Sequence, residues 1–143
     1  MRSKEVCHFL TSLAAWAAGR PDVPAVALVG SWARNEAGAE SDLDIVLLTE
    51  KPGAYVEDEG WIAELGACGI VCTKRWGAII ERRIALPSGL EVEVGIGEPS
   101  WASTTPVDPG TRRVASDGMR IVYDPDGLLG ALIAACEEPS AQV

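Results

Sequence analysis

The apolar positions of this chain follow two rhythms in turn. From Ser3 onward, Val6, Phe9, Leu10, Leu13, Ala14 and Ala17 recur at the i, i+3, i+4, i+7 spacing of an amphipathic helix. Ser3 is placed to cap that helix, and Gly19 and Pro21 to end it. The unbroken apolar run 25–29 then predicts a buried strand, interrupted at Gly30-Ser31 by what reads as a short helical turn. Gly38 lies in the connection to a second strand over 42–48. After the Lys51-Pro52-Gly53 turn, Trp61, Ile62 and Leu65 mark the apolar side of a helix over 57–65, which Gly60 weakens. Strands are expected over 70–74 and 79–86, and the Pro87-Ser88-Gly89 turn pairs the latter with 90–96 as a hairpin. Residues 106–110 read as a loop and 120–123 as a short strand. Asp126 is placed to cap a final helix carrying Leu128, Leu129, Leu132, Ile133 and Cys136, with a frayed tail after Glu138.

This order predicts one α/β domain of the α+β kind over residues 1–143: a mixed β-sheet with helices packed on it, its core over 25–97 and a C-terminal helix at about 126–138. Apolar residues make up 48% of the chain and charged ones 23%, ordinary for a globular protein. The formal charge of −9 argues against a stand-alone nucleic-acid binder, which needs a basic stripe. A nucleotide substrate stays open, because bound metal ions reverse the local charge. No run approaches the roughly 18 consecutive apolar residues of a membrane span, and the N-terminus lacks an apolar signal core. A cytoplasmic protein is expected, with no membrane partner. The four scattered cysteines read as small core residues, and Cys68 and Cys72 have no histidine nearby to complete a zinc site.

The chemistry lies where polar residues break these patterns. In Ser41-Asp42-Leu43-Asp44-Ile45, the two aspartates share one face of a strand, where they repel unless a cation lies between them. Strand 90–96 repeats the alternation, with Leu90, Val92, Val94 and Ile96 on one side and Glu91, Glu93 and Gly95 on the other. Were the two strands neighbours, a third carboxylate would join the aspartate pair. Such a set suits Mg²⁺, a hard cation that prefers oxygen ligands. Two such ions about 3.5–4 Å apart activate an attacking hydroxyl and stabilise a leaving pyrophosphate. The Gly30-Ser31 turn adds an anion cradle of exposed N–H groups and a small hydroxyl.

Gly30-Ser31-Trp32-Ala33-Arg34 followed by Ser41-Asp42-Leu43-Asp44 resembles the signature of the nucleotidyltransferase superfamily, whose fold is similar to the polymerase-β catalytic domain. The resemblance implies that Gly30 and Ser31 bind the triphosphate, and that Asp42 and Asp44 hold Mg²⁺. A later strand carboxylate completes the triad: Glu93, with Glu91 as the alternative. It implies two Mg²⁺ ions, an NTP substrate (ATP is expected) and transfer of a nucleoside monophosphate to a hydroxyl acceptor. That acceptor is a small molecule such as an antibiotic or a protein side chain, with RNA ranked last on charge. Where the family often has glycine after the arginine, this chain has Asn35, a residue that tolerates left-handed backbone. The short remainder after Ile96 leaves no room for the helical acceptor domain of many members, so a minimal single-domain member completed by a homodimer or a partner protein is expected.

Other residues have two readings. Arg34 contacts the triphosphate or makes an exposed salt bridge; Ser41 belongs to the nucleotide site by orienting the aspartate loop. One of the pairs Lys74-Arg75, Arg82-Arg83 and Arg112-Arg113 faces phosphate, or each is a solvated edge. Trp32 and Trp101 are placed to wall the cleft, while Trp16, Trp61 and Trp76 read as packing residues. His8, the only histidine, reads as a surface or partly buried residue without a catalytic partner. The rival to an enzyme is a non-catalytic nucleotide-binding or antitoxin-like module of the same fold.

Overall fold

The alternation along the second strand divides the molecule into two layers. The computed structural model describes residues 2–38 and 41–137, with Trp76 by its backbone alone. Six strands, β1 (Ala25–Val29), β2 (Leu43–Leu48), β3 (Gly69–Trp76), β4 (Ile79–Ala85), β5 (Glu91–Gly97) and β6 (Met119–Tyr123), form one sheet in the order β3-β4-β5-β2-β1-β6. β2 and β5 run parallel, and every other neighbouring pair is antiparallel. This is the expected mixed sheet.

Leu43, Ile45 and Leu47 of β2, with Val92, Val94 and Ile96 of β5, are buried in the larger core. The helix α1 (Arg2–Ala18) lies over them through Val6, Phe9, Leu13 and Ala17, the face its periodicity predicts. Val46 and Leu48 point the other way, into a second core with Ala25 and Ala27. That core is closed by Ala102 of a 3-10 turn (Pro99–Ala102) and by Leu129 and Leu132 of the last helix (Leu128–Glu137). Asp42 and Asp44 share the face of Val46 and Leu48, at the end of β2 where this second core stops.

Four local expectations need correction. α1 begins at Arg2, so Ser3 lies inside the helix. The helix expected over 57–65 is two short ones, α3 (Ala54–Glu57) and α4 (Gly60–Glu64), parted at Asp58-Glu59; Asp58 accepts a hydrogen bond from the Gly60 amide at 3.0 Å, so the glycine opens a helix. Asp124 takes the cap position expected of Asp126, accepting from the amides of Leu129 (3.1 Å) and Gly130 (2.9 Å) at the start of the last helix. The cysteines are not core residues: Cys7 and Cys68 are exposed, Cys72 and Cys136 half-buried. A further helix, α5 (Pro109–Asp117), stands where the sequence reading ends its loop, and the last helix becomes α6. Glu138 and the tail beyond it lie outside the described residues. Among the described residues no helix is long and apolar enough to cross a membrane.

The return from β2 is fastened by a polar cluster against α1. Buried Thr49 and Tyr55 donate to one oxygen of Asp22 at 2.8 and 2.7 Å, while Arg20 stacks on Trp16 and bonds Tyr55 and Glu64. Burial pushes the Asp22 carboxyl up, but the hydrogen bonds from Tyr55 and Thr49 outweigh it and hold the group below its ordinary value. Its stabilising share is therefore present above the unfolded value of 3.8 and is lost as pH falls through the lower folded value. Asp22→Asn should lower stability near neutral pH by about 1–2 kcal/mol. Thermal melts at decreasing pH should show that gap closing below about pH 4; a gap independent of pH would contradict this account.

Candidate active site

β1 ends at Val29, which pairs with Asp44 across the antiparallel β1–β2 ladder. The next residue, Gly30, has φ +76°, and a Cβ there would strike the Asp44 carboxylate. Glycine is thus required twice, by the backbone and by the acid behind it. From Gly30 the chain makes a single helical turn, α2 (Gly30–Ala33), whose amides have no acceptor within the turn. The turn closes at Asn35 with φ 60°, the left-handed geometry that asparagine accepts more readily than most residues. Ser41 and Trp32 hold the loop that leads to the aspartates. The Ser41 hydroxyl accepts from the Gly38 amide at 2.9 Å, and the Trp32 indole donates to the Ser41 carbonyl at 3.4 Å. Trp32 packs toward the larger core and does not wall the cleft as expected. The Arg34 side chain is exposed and paired with Glu36 at 2.8 Å, the second of its two readings.

The parallel register sets Asp44 opposite Glu93 and Leu43 opposite Val92. Neighbouring side chains in register share a face, so Asp42, Asp44, Glu91 and Glu93 all stand on one side of the sheet. β4 adds two charges to that side, since Arg83 pairs with Glu93 and Glu81 with Gly95. The Arg83 guanidinium donates to Asp42 at 2.6 Å, to Glu91 at 3.0 Å and to Glu93. Asp44 instead faces Glu93. Its burial, followed by the hydrogen bond with Glu93 and the charges of Glu93, Asp42 and Glu81, pushes the Asp44 carboxyl up to about 7. Among the described residues no three acid, histidine or cysteine side chains are already gathered as a cage for an ion. Asp44 and Glu93 are a hydrogen-bonded carboxylate pair. Their oxygen donors suit a hard divalent cation.

The pair opens on a cavity of about 670 Å³. Asp44, Glu81 and Glu93 form one wall, and Ile79, Trp101 and Val114 supply apolar ones. Trp101 therefore stands at the cleft, as expected. The far wall exists because α5 is anchored: Asp108 caps it by accepting from the amides of Gly110 (2.9 Å) and Thr111 (3.1 Å), Pro109 occupies the first turn, and buried Thr111 bonds the Trp101 carbonyl at 3.0 Å. The sequence reading missed α5 although Asp108-Pro109 is a helix-start signal. It also left Arg83 as one of three undistinguished basic pairs. Its neighbour Arg82 faces the other way, buried, bonding the carbonyls of Tyr55 (2.9 Å) and Val56 (3.1 Å).

The sequence pattern of the family described as "nucleotidyltransferase domain" matches residues 17–70, from the end of α1 to the start of β3. The crystal structure of an aminoglycoside 6-adenyltransferase from Bacillus subtilis superimposes with a TM-score of 0.50 at 12% identity, over 66% of this chain and 35% of that one. Residues 17–70 thus carry the nucleotidyltransferase pattern, and the likeness to the adenyltransferase extends that to the fold. The nucleotidyltransferase match takes in the Gly30-Ser31 turn and both aspartates, and stops before Arg83, Glu91 and Glu93. At 12% identity the likeness to the adenyltransferase is one of fold, and the chain spans about a third of that protein's length. No curated protein matches the sequence of this chain.

Gly30→Ala should cost about 1–3 kcal/mol from its backbone conformation alone. The further loss from the collision should be relieved when Asp44→Ala is combined with it, so a double-mutant cycle should show coupling between the two positions. Asp44 gives a pH signature of the opposite sign to Asp22. The folded chain keeps this proton up to about pH 7, whereas an unfolded aspartate releases it near 3.8, so stability falls as pH rises between those values. In metal-free buffer, Asp44→Asn should melt above the wild type by a margin that grows across this window and levels off beyond it. A margin constant with pH would show that Asp44 does not carry the shift.

Proposed function

We propose that this nucleotidyltransferase domain moves a nucleoside monophosphate from an NTP, with ATP expected, to a hydroxyl acceptor in an Mg²⁺-dependent reaction. The observation that carries the reading is the Asp44–Glu93 pair, set across one rung of the parallel β2–β5 ladder beside the Gly30 turn and facing the cavity. Asp42, Asp44 and Glu93 would hold the metal. Glu93 is preferred to Glu91 because it stands in register with Asp44 and faces it, whereas Glu91 stands two residues earlier on the strand. When bound, the metal neutralises phosphate charge and lowers the pKa of the attacking hydroxyl.

The chain's own residues do the rest. The amides of the Gly30–Ala33 turn and the Ser31 hydroxyl bind the β- and γ-phosphates, with Ser41 fixing the loop behind them. The acceptor oxygen bonds to the α-phosphorus, the bond from that phosphorus to the bridging oxygen breaks, pyrophosphate leaves with that oxygen, and Glu93 takes the acceptor proton. The apolar walls at Ile79, Trp101 and Val114 would receive the acceptor, a small molecule or a protein side chain. The adenyltransferase of like fold acts, by its name, on an aminoglycoside, which supports the first class. The net charge of −9 disfavours a nucleic-acid acceptor. An NTP substrate would place the activity in the cytoplasm, and a second copy or a partner protein would complete the acceptor side.

One observation favours the rival reading, a non-catalytic nucleotide-binding or antitoxin-like module: Arg83 already neutralises three of the four acids. Calorimetry with Mg²⁺ and each NTP, followed by an assay of pyrophosphate release, separates the two. The enzyme reading expects Mg²⁺-dependent NTP binding, and a drop in pyrophosphate release of about 10²–10³-fold in Asp44→Ala, the scale for loss of one electrostatic stabiliser. Binding without release under any acceptor condition would favour the module. Absence of Mg²⁺-dependent binding, or its survival unchanged in the Asp42→Ala, Asp44→Ala double variant, would sink both.

A further inference from the structure

The guanidinium of Arg83 is seated among three of the four acids of this face. Its backbone position on β4 is next to Glu93, and a simple cross-strand ion pair with that residue would satisfy it. Instead the side chain reaches past β5 to Asp42, the residue before the start of β2, bonding it at 2.6 Å and Glu91 at 3.0 Å. Arg83 and Glu93 are each 23% exposed, against 40% for Asp42, so the pairs are partly shielded from water. Asp44 is left out of this arrangement and faces Glu93 from the other side.

We propose that Arg83 is a resident cation of the acid face, so that the chain without nucleotide binds one divalent ion among Asp42, Asp44 and Glu93, where the resemblance implies two. This rests on the metal-dependent reading above. Two dications held about 3.5–4 Å apart need several anionic oxygens to offset their repulsion. Here one oxygen of Asp42, one of Glu91 and one of Glu93 are committed to a planar, always-charged donor whose forked geometry matches carboxylates. A second dication among the same acids would meet the guanidinium within a few ångströms, where like charges repel strongly in a partly shielded site. Arg83 is thus a positioning residue. It keeps Asp42, Glu91 and Glu93 gathered before any metal arrives and limits how many ions they accept.

The test counts ions on the full chain without nucleotide, using Mn²⁺ as the probe and electron paramagnetic resonance to measure the free ion. One Mn²⁺ per wild-type chain is expected, with two in Arg83→Gln, or at least a tenfold tightening of the first. Arg83→Lys, which restores the charge, should return the count to one. Two ions in the wild type would overturn the proposal while leaving the metal-dependent reading intact. This outcome requires no variant to fold. An Arg83→Gln titration superimposable on the wild type would also overturn it. No Mn²⁺ bound by wild type or variants would remove the metal-dependent reading, and the proposal with it.

Discussion

The parallel pairing of β2 with β5 sets Asp44 beside Glu93, and the candidate site depends on that register. Two acids side by side oppose it: with both ionised, unit charges about 4 Å apart at an effective dielectric near 20 cost on the order of 4 kcal/mol. The other faces of the same strands favour it. Leu43, Ile45, Leu47, Val92, Val94 and Ile96 are all at most 3% exposed, and each contributes about 1.5–3 kcal/mol on burial. A slip of one residue along either strand would turn its three aliphatics outward and its acids into the core. Apolar burial therefore exceeds the repulsion. The sheet holds its carboxylates together because the core leaves them nowhere else to go.

A second constraint fixes the other side of the site. β1 is in register with β2 through Val29 and Asp44, so the residue after Val29 must pass directly over the Asp44 carboxylate. Only a residue without Cβ can do so, and the same residue must turn at φ +76°. The Gly30 turn and the acid face are therefore adjacent for a geometric reason. The turn's amides lie next to Asp44 because Gly30 does.

Legibility in the sequence followed the range of the interactions. β1 lies over the run of five apolar residues that predicts it, and the Gly30-Ser31 break and the left-handed Asn35 are local features with local signals. The face shared by Asp42 and Asp44, and by Glu91 and Glu93, follows from alternation alone. That those two faces meet was only a condition in the sequence, since the parallel crossover joining β2 to β5 is not local. Arg83 was harder still, because its part depends on β4 lying on the far side of β5 and on which of two adjacent arginines faces the acids. The helix Pro109–Asp117 escaped for a different reason. Its sequence, Pro-Gly-Thr-Arg-Arg-Val-Ala-Ser-Asp, has almost no apolar stripe, and what holds it is the Asp108 cap and the buried Thr111.

The division of labour along the chain follows from these facts. The segment matched to the family supplies the turn and the aspartates, while the later strands, the Pro99–Ala102 turn and α5 supply Glu93, Arg83 and the cavity's Ile79, Trp101 and Val114. The charged residues on the cavity walls (Asp44, Glu81, Glu93 and Asp108) are all acidic, in a chain whose net charge is −9. Under the proposed reading a free triphosphate would be repelled by such a wall, and the Arg83 guanidinium is committed to three acids. Cations would then accompany the nucleotide or precede it. The order of binding, metal with or before nucleotide, would be set by the charge of the walls rather than by the shape of the cavity.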